Sequence, residues 1–198
     1  MDNLIIVGSG GHALASAEVI ESLNKFNIVG LVDSKNTNNL NYPLLGDDEK
    51  LSGLRDQYDN AFIGVGQIND YTARSNIYNK LKELNFKLPK ILSPRSIYSN
   101  KSSIDEATIV MHGVIIGPKV QIGKNSIINS SSVLEHETIV GNNSHVSTNV
   151  TLNGNVKVGD GTFIGSGTIV KEGISIGSNC FIRMGSIINK NIANNEKV

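Results

Sequence analysis

The run Leu134-Glu135-His136-Glu137-Thr138-Ile139 holds the residue types that proton transfer needs. An imidazole titrates near neutral pH, and an adjacent carboxylate can orient it and stabilise its charged form. His136 with Glu137 therefore reads as a general base with its supporting acid. The competing reading is a solvated surface histidine with no chemical role. His112 lies 24 residues before His136, and His145 lies 9 after it. Those separations do not stack three imidazoles in the repeat described below, which disfavours zinc and a zinc hydratase. There is no Cys–His nucleophile and no Walker lysine. Acyl transfer run by a single base, without a covalent intermediate, is the chemistry that remains.

The element that must carry His136 is a repeat. From Ile104, every sixth residue is a branched aliphatic: Ile104, Val110, Ile116, Ile122, Ile128, Leu134, Val140, Val146, Leu152, Val158, Ile164, Val170, Ile176, Ile182 and Ile188. Gly often follows the aliphatic, and a small or β-branched residue usually stands four after it. A period of six fits neither a helix nor ordinary hairpins, and signals a parallel β-helix with short strands stacked coil on coil. The aliphatic points into a narrow prism, and Gly or Asn serves the corners. His136, two past Leu134, is expected mid-face and pointing outward. His145 is half of an eighteen-residue coil further on, so the two should not touch within one chain. They would approach across an interface, because flat outer faces favour side-by-side association into a closed trimer.

An α/β unit precedes the repeat. Residues 3–7 read as a buried strand that runs into Gly8-Ser9-Gly10-Gly11-His12-Ala13 and a helix to about Leu23. A second strand, 28–32, ends at Asp33. This is a Rossmann-like β-α-β form, in which helix N-terminal N–H groups hold a phosphate and Asp33 lies near a ribose or base. A turn that serves only helix–strand packing is the alternative. Residues 37–60 read as loop with short elements, 61–66 as a third strand, and 71–84 as a helix capped by Asp70 with Ile77, Leu81 and Leu84 on one face. The expected division is an α/β domain over 1–95 and a β-helix over 96–198, ending in a polar tail after Ile192.

Composition narrows the partners. The 198 residues carry 18 Lys+Arg against 18 Asp+Glu, so no basic field calls for nucleic acid or an anionic membrane. No signal peptide or membrane span is expected, and a single cysteine, Cys180, in the small-residue slot fits a reducing cytoplasm.

Taken together, the six-residue repeat, the N-terminal Ile-Ile-Val-Gly-x-Gly-Gly-His and the run from Asn129 through Leu134-Glu135-His136-Glu137 resemble the bacterial sugar O/N-acyltransferases. That group includes the acetyl-CoA-dependent N-acetyltransferases of nucleotide-linked 4-amino-4,6-dideoxy sugars and relatives that O-acetylate sialic acid. The resemblance implies a left-handed β-helix, a homotrimer with active sites between subunits, and a role in surface glycan synthesis. It implies His136 as general base supported by Glu137, and Asn129 near the reaction centre. It places Gly8, Gly10, Gly11 and Asp33 on the nucleotide of the sugar. His145 is implied in the acetyl-CoA site, with Gly154, Ser166 and Met184 expected down one face along the pantetheine arm. A sugar O-acetyltransferase is the first rival, and a non-catalytic nucleotide-sugar-binding scaffold is the rival from another class.

Overall fold

The computed structural model describes residues 1–34 and 41–198; residues 37–40 of the expected loop lie outside the described residues. Four parallel strands form the N-terminal sheet: β1 (Asp2–Val7), β2 (Phe26–Val32), β3 (Leu44–Gly46) and β4 (Asn60–Ile63), in the order β3-β2-β1-β4. The helices are α1 (Gly11–Ser22), the short α2 (Leu51–Arg55) and α3 (Thr72–Glu83). β1 is apolar from Leu4 to Val7 because both of its faces are covered. Leu4 and Ile6 pack with α1 in one cluster, while Ile5 and Val7 pack with Leu51 and Leu81 in another. Asp70 accepts from Thr72 N at the start of α3, as expected. Ile77 and Leu84 are half-buried beside Leu81, but the largest side chain that α3 buries is one the pattern did not flag, Arg74.

Seventeen two-residue strands follow, from Ile91–Leu92 to Ile187–Ile188. They form three parallel sheets, the three faces of a left-handed β-helix. Strands eighteen residues apart are paired, for example Ile127 with His145 and Val133 with Thr151. All fifteen aliphatics point inward, and none is more than 7% exposed. The small-residue column is more than filler. Its hydroxyls bond carbonyls fifteen residues on, as from Thr162 Oγ1 to Gly177 O at 2.7 Å and from Ser132 Oγ to Ser147 O at 2.7 Å. A buried hydroxyl needs such a partner, and the next coil supplies it. Cys180 is buried in the same column.

Two kinds of corner residue serve different ends. Asn125, Asn143, Asn155 and Asn179 take the left-handed conformation, which asparagine tolerates. Gly165, directly after an aliphatic, is there for space: a β-carbon would stand 2.4 Å from Met184 N of the next coil.

The faces differ in what covers them. The first (Ile91, Ile109, Ile127, His145, Phe163 and Phe181 outward) is docked against the α/β domain, since Ile91, Ile109 and Ile127 share a core with α1 and β1. The second presents Ile97, Ile115, Val133, Thr151, Ile169 and Ile187, and the third Ser103, Gln121, Ile139, Lys157 and Ser175. We call these the docked, apolar and polar faces. The stacked strands begin at Ile91, and the register extends back from Ile104 through Tyr98 and Leu92. After Ile192 the chain is no loose tail: Ile192 bridges Ile176, Lys197 bridges Phe181, and Arg183 N donates to Val198 O at 2.7 Å. No helix among the described residues is long and apolar enough to cross a membrane.

Candidate active site

His136 stands at a corner, not mid-face as its spacing suggested. The flat strand is only Val133–Leu134, so the residues after the aliphatic already turn between the apolar and polar faces. The corner helps the chemistry. Glu137 is left-handed there (φ 63°), which returns its carboxylate towards the preceding side chain. Glu137 Oε2 lies 3.4 Å from His136 Nδ1, and Glu137 Oε1 lies 3.2 Å from Lys119 Nζ. Lys119, one coil earlier in the same column, was missed because its eighteen-residue offset means contact only once the coils stack. The Lys119 ammonium first, and the His136 ring second, hold the Glu137 carboxyl below its ordinary range. With Nδ1 turned to Glu137, Nε2 is the distal nitrogen, the one that in a neutral ring can take a proton from outside.

Gly154 lies one coil below His136. A β-carbon on Gly154 would come within 2.5 Å of both Cε1 and Nε2 of the imidazole. The ring therefore lies over the bare backbone of Gly154. A groove of about 510 Å³ surrounds it, lined by Glu135, His136, Asn153, Gly154, Asn155 and Glu172. Gly154 does not share a side with Ser166 and Met184. It is eighteen residues from His136, whereas Ser166 and Met184 sit at the corner between the docked and apolar faces, twelve and thirty residues away from it. Twelve residues is two-thirds of a coil, so the expected single column is in fact two corners flanking the apolar face.

His145 also departs from its expected place. It lies on a docked-face strand and is 7% exposed, covered by the loop after β4. Its Nδ1 donates to Gln67 O at 2.5 Å, and its Nε2 is 3.3 Å from Asn129 Nδ2. The carbonyl accepts only from an N–H, so Nδ1 carries the proton and Nε2 accepts from the Asn129 amide. Burial pushes this imidazole down to about 4; the Gln67 bond opposes that shift and the Arg74 charge adds to it. His145 is accordingly neutral at pH 7. Phe163 meets the ring edge-on at 5.2 Å and stacks on Phe181. Within the chain His145 and His136 occupy different sides of the prism, in keeping with the expected lack of contact.

The Gly-rich turn divides its labour. Gly8 (φ 107°) is required, since a β-carbon there would meet Val65 at 2.9 Å, whereas open space stands over Gly10 and Gly11 at the start of α1. Asp33 Oδ2 accepts from Ser9 N at 2.8 Å and Ser9 Oγ at 2.7 Å, fastening the turn to the end of β2. Beside them is a cavity of about 340 Å³ lined by Gly8, Asp33, Asp47, Asp48, Glu49 and Val65. Its acidic rim favours N–H donors, as on a nucleobase, while the open N-terminus of α1 favours phosphate. His12 was not singled out from the sequence, yet it lies behind this turn against Gly66. Burial first, then Arg74 and His145, push it to about 3, and among the described residues its Nε2 has no hydrogen-bond partner.

Comparison with known proteins gives a consistent pattern. Residues 3–81 match the PglD N-terminal domain. Residues 113–153 match the hexapeptide repeat of succinyl-transferase, and 137–172 and 155–190 match the bacterial transferase hexapeptide. A point mutant of perosamine N-acetyltransferase from Caulobacter crescentus, solved with CoA and GDP-perosamine, is 27% identical; the match covers 98% of this chain and 91% of that one, with a TM-score of 0.92. The acetyltransferase domain of PglB from Neisseria gonorrhoeae FA1090 is 22% identical over 100% and 96% of the two chains, with a TM-score of 0.93, and shares the fold. No curated protein matches. Both parts of the chain are matched in this order, so the chain is similar throughout to the hexapeptide-repeat sugar acyltransferases.

Proposed function

We propose that this protein transfers an acetyl group from acetyl-CoA to the 4-amino group of a nucleotide-linked 4-amino-4,6-dideoxy sugar. The observation that carries the reading is the His136 corner: an exposed imidazole with Nδ1 turned to Glu137 and Nε2 open beside the bare backbone of Gly154. The likeness to an enzyme solved with CoA and GDP-perosamine supports the substrate class. The sugar's neutral amine attacks the thioester carbonyl. His136 Nε2 takes the amine proton, and returns it to the departing thiolate as the carbonyl re-forms. The charge that develops on the carbonyl oxygen is met by a backbone N–H or by a side chain of the adjoining subunit.

The assembly follows from the apolar face. Ile97 and Ile187 are 70% and 77% exposed, Ile115 and Ile169 are nearly half exposed, and Met184 stands at their edge. An apolar strip of this kind, interrupted only by Thr151 among these outward positions, marks an interface. Turning it towards a threefold axis brings the His136 corner of one subunit to the corner of the next that bears Asn129, Ser166 and Met184. A homotrimer thus gathers the two separated corners into one groove, which takes the pantetheine arm. The acidic cavity and the start of α1, with Gly8, Gly10, Gly11 and Asp33, hold the nucleotide. The compartment this implies is the cytoplasm, where acetyl-CoA and nucleotide sugars are available, and the product serves surface polysaccharide synthesis.

Free-thiol release from acetyl-CoA, assayed with UDP-, dTDP- and GDP-linked 4-amino sugars beside their 4-hydroxy counterparts, tests the reading. Release with an amino sugar alone is expected. Release with hydroxyl acceptors alone would make the protein an O-acetyltransferase, and no release with no acetyl-CoA binding would leave a scaffold.

A further inference from the structure

Arg74 is a fully buried cation that the proposed chemistry does not use. Among the described residues no carboxylate forms an ion pair with it, and its hydrogen bonds go to four main-chain carbonyls. Nη1 donates to Ile63 O at 2.7 Å and Val65 O at 2.8 Å, at the end of β4 and in the loop beyond it. Nε donates to Asn125 O at 3.1 Å, and Nη2 to Ala107 O at 3.3 Å. Ala107 and Asn125 are stacked left-handed corners of the β-helix. One guanidinium therefore grips both domains. The Asn125 amide returns the contact by donating to Arg74 O at 3.4 Å.

A buried charge without a counter-ion is expensive, and replacing it by a well-packed apolar side chain is often stabilising. Packing the domains together is therefore a poor reason for a guanidinium here. The loop it holds supplies a better one. Two residues beyond Val65, Gln67 O accepts from His145 Nδ1, and His145 Nε2 faces the Asn129 amide. The same loop lines the cavity at Val65, and Gly66 backs on to His12.

We infer that Arg74 is a positioning residue: by fixing the 64–67 loop to two coil corners, it sets where the nucleotide-binding domain holds an acceptor relative to the donor groove. The inference rests on the acetyl-transfer reading above. Its mark is a separation of binding from transfer. The nucleotide cavity is lined by the α/β domain alone and the donor groove by β-helices alone, so each keeps its ligand when the two domains of a chain lose register, while the distance between the two reacting atoms drifts. A misplacement of about 1 Å costs on the order of 10²-fold in rate.

The test uses the full chain with Arg74→Met and Arg74→Lys. Calorimetry gives Kd for CoA and for whichever of UDP, dTDP or GDP binds the wild type best; thiol release gives kcat; ¹⁵N imidazole spectra of the ligand-free protein report the His145 tautomer. In Arg74→Met both Kd values should stay within about threefold while kcat falls roughly 10²-fold, with the His145 Nδ1–H signal displaced. Arg74→Lys, which keeps the charge and several donors, should recover part of kcat and of the signal. Unchanged kcat and an unmoved His145 signal in Arg74→Met would overturn the inference. So would loss of nucleotide or CoA binding in step with kcat in both variants, the signature of a purely structural residue. If the wild type transfers no acetyl group, the functional reading fails instead, and the His145 spectra still decide whether Arg74 positions the loop.

Discussion

The Cε1 and Nε2 atoms of His136 lie 2.5 Å from the point where a β-carbon on Gly154 would stand. The imidazole proposed as general base is thus seated by the absence of a side chain one coil below it. Gly154 lies outside the left-handed region, so alanine is acceptable to its backbone and displaces only the ring. Gly154→Ala should lower kcat by about 10-fold to 10²-fold with little change in melting temperature. In a His136→Ala background the same substitution should have almost no further effect; a full second loss there would detach Gly154 from the imidazole.

Removing the proposed base itself should have a larger consequence. His136→Ala should lower turnover by about 10²–10⁴-fold while the assembly is retained. Glu137→Gln, which leaves the imidazole in place but removes the carboxylate charge at 3.4 Å, should cost less. Turnover unchanged in His136→Ala would remove the base assignment.

The apolar face gives a prediction about assembly. Ile169→Glu puts a charge on a residue that is 47% exposed in the single chain, so the prism should still fold. A charge buried between copies is strongly unfavourable, and light scattering should find smaller species than the wild type. Wild-type protein that is itself monomeric would refute the threefold arrangement.

Two buried histidines set an acid limit on stability. His145 lies at about 4 and His12 at about 3 in the folded chain, against 6.5 for both in the unfolded chain. Both folded values are depressed, so below about pH 6.5 the unfolded state takes up protons that the folded state refuses. Stability should therefore be fully present above that pH and be lost as pH falls towards 4, by about 1.4 kcal/mol per pH unit for each histidine. Urea midpoints between pH 7.5 and 4.5 measure this, and His145→Gln should flatten the slope. An unaltered slope would mean that His145 is protonated without opening the domain contact.

The β-helix was legible because one residue type recurs at one spacing, and a period needs no knowledge of tertiary contacts. The Rossmann-like unit was legible for a similar reason, since strand, Gly turn and helix are adjacent in the chain. The site was only half legible. The His136–Glu137 pair is a neighbour pair and could be read directly, but the six-residue rule did not say that the strand is two residues long. It therefore put His136 on a face. Lys119 and Gly154 act on the corner from one coil above and below, and Arg74 acts across a domain boundary from a helix whose apolar pattern hid it. Contacts of that range carry no local signature.

The pairing of strands eighteen residues apart limits how this molecule can change length. Gly173 N donates to Gly154 O just as Asn155 N donates to His136 O, so position 173 repeats position 155 one storey down. Deleting residues 155–172 would join Gly154 to Gly173 and close the building by one floor, with every wall still in line. Deleting six would turn everything below by a third of a circle and swing the isoleucines of the apolar wall round to another side. Viable insertions and deletions in this half of the chain should therefore come in whole floors.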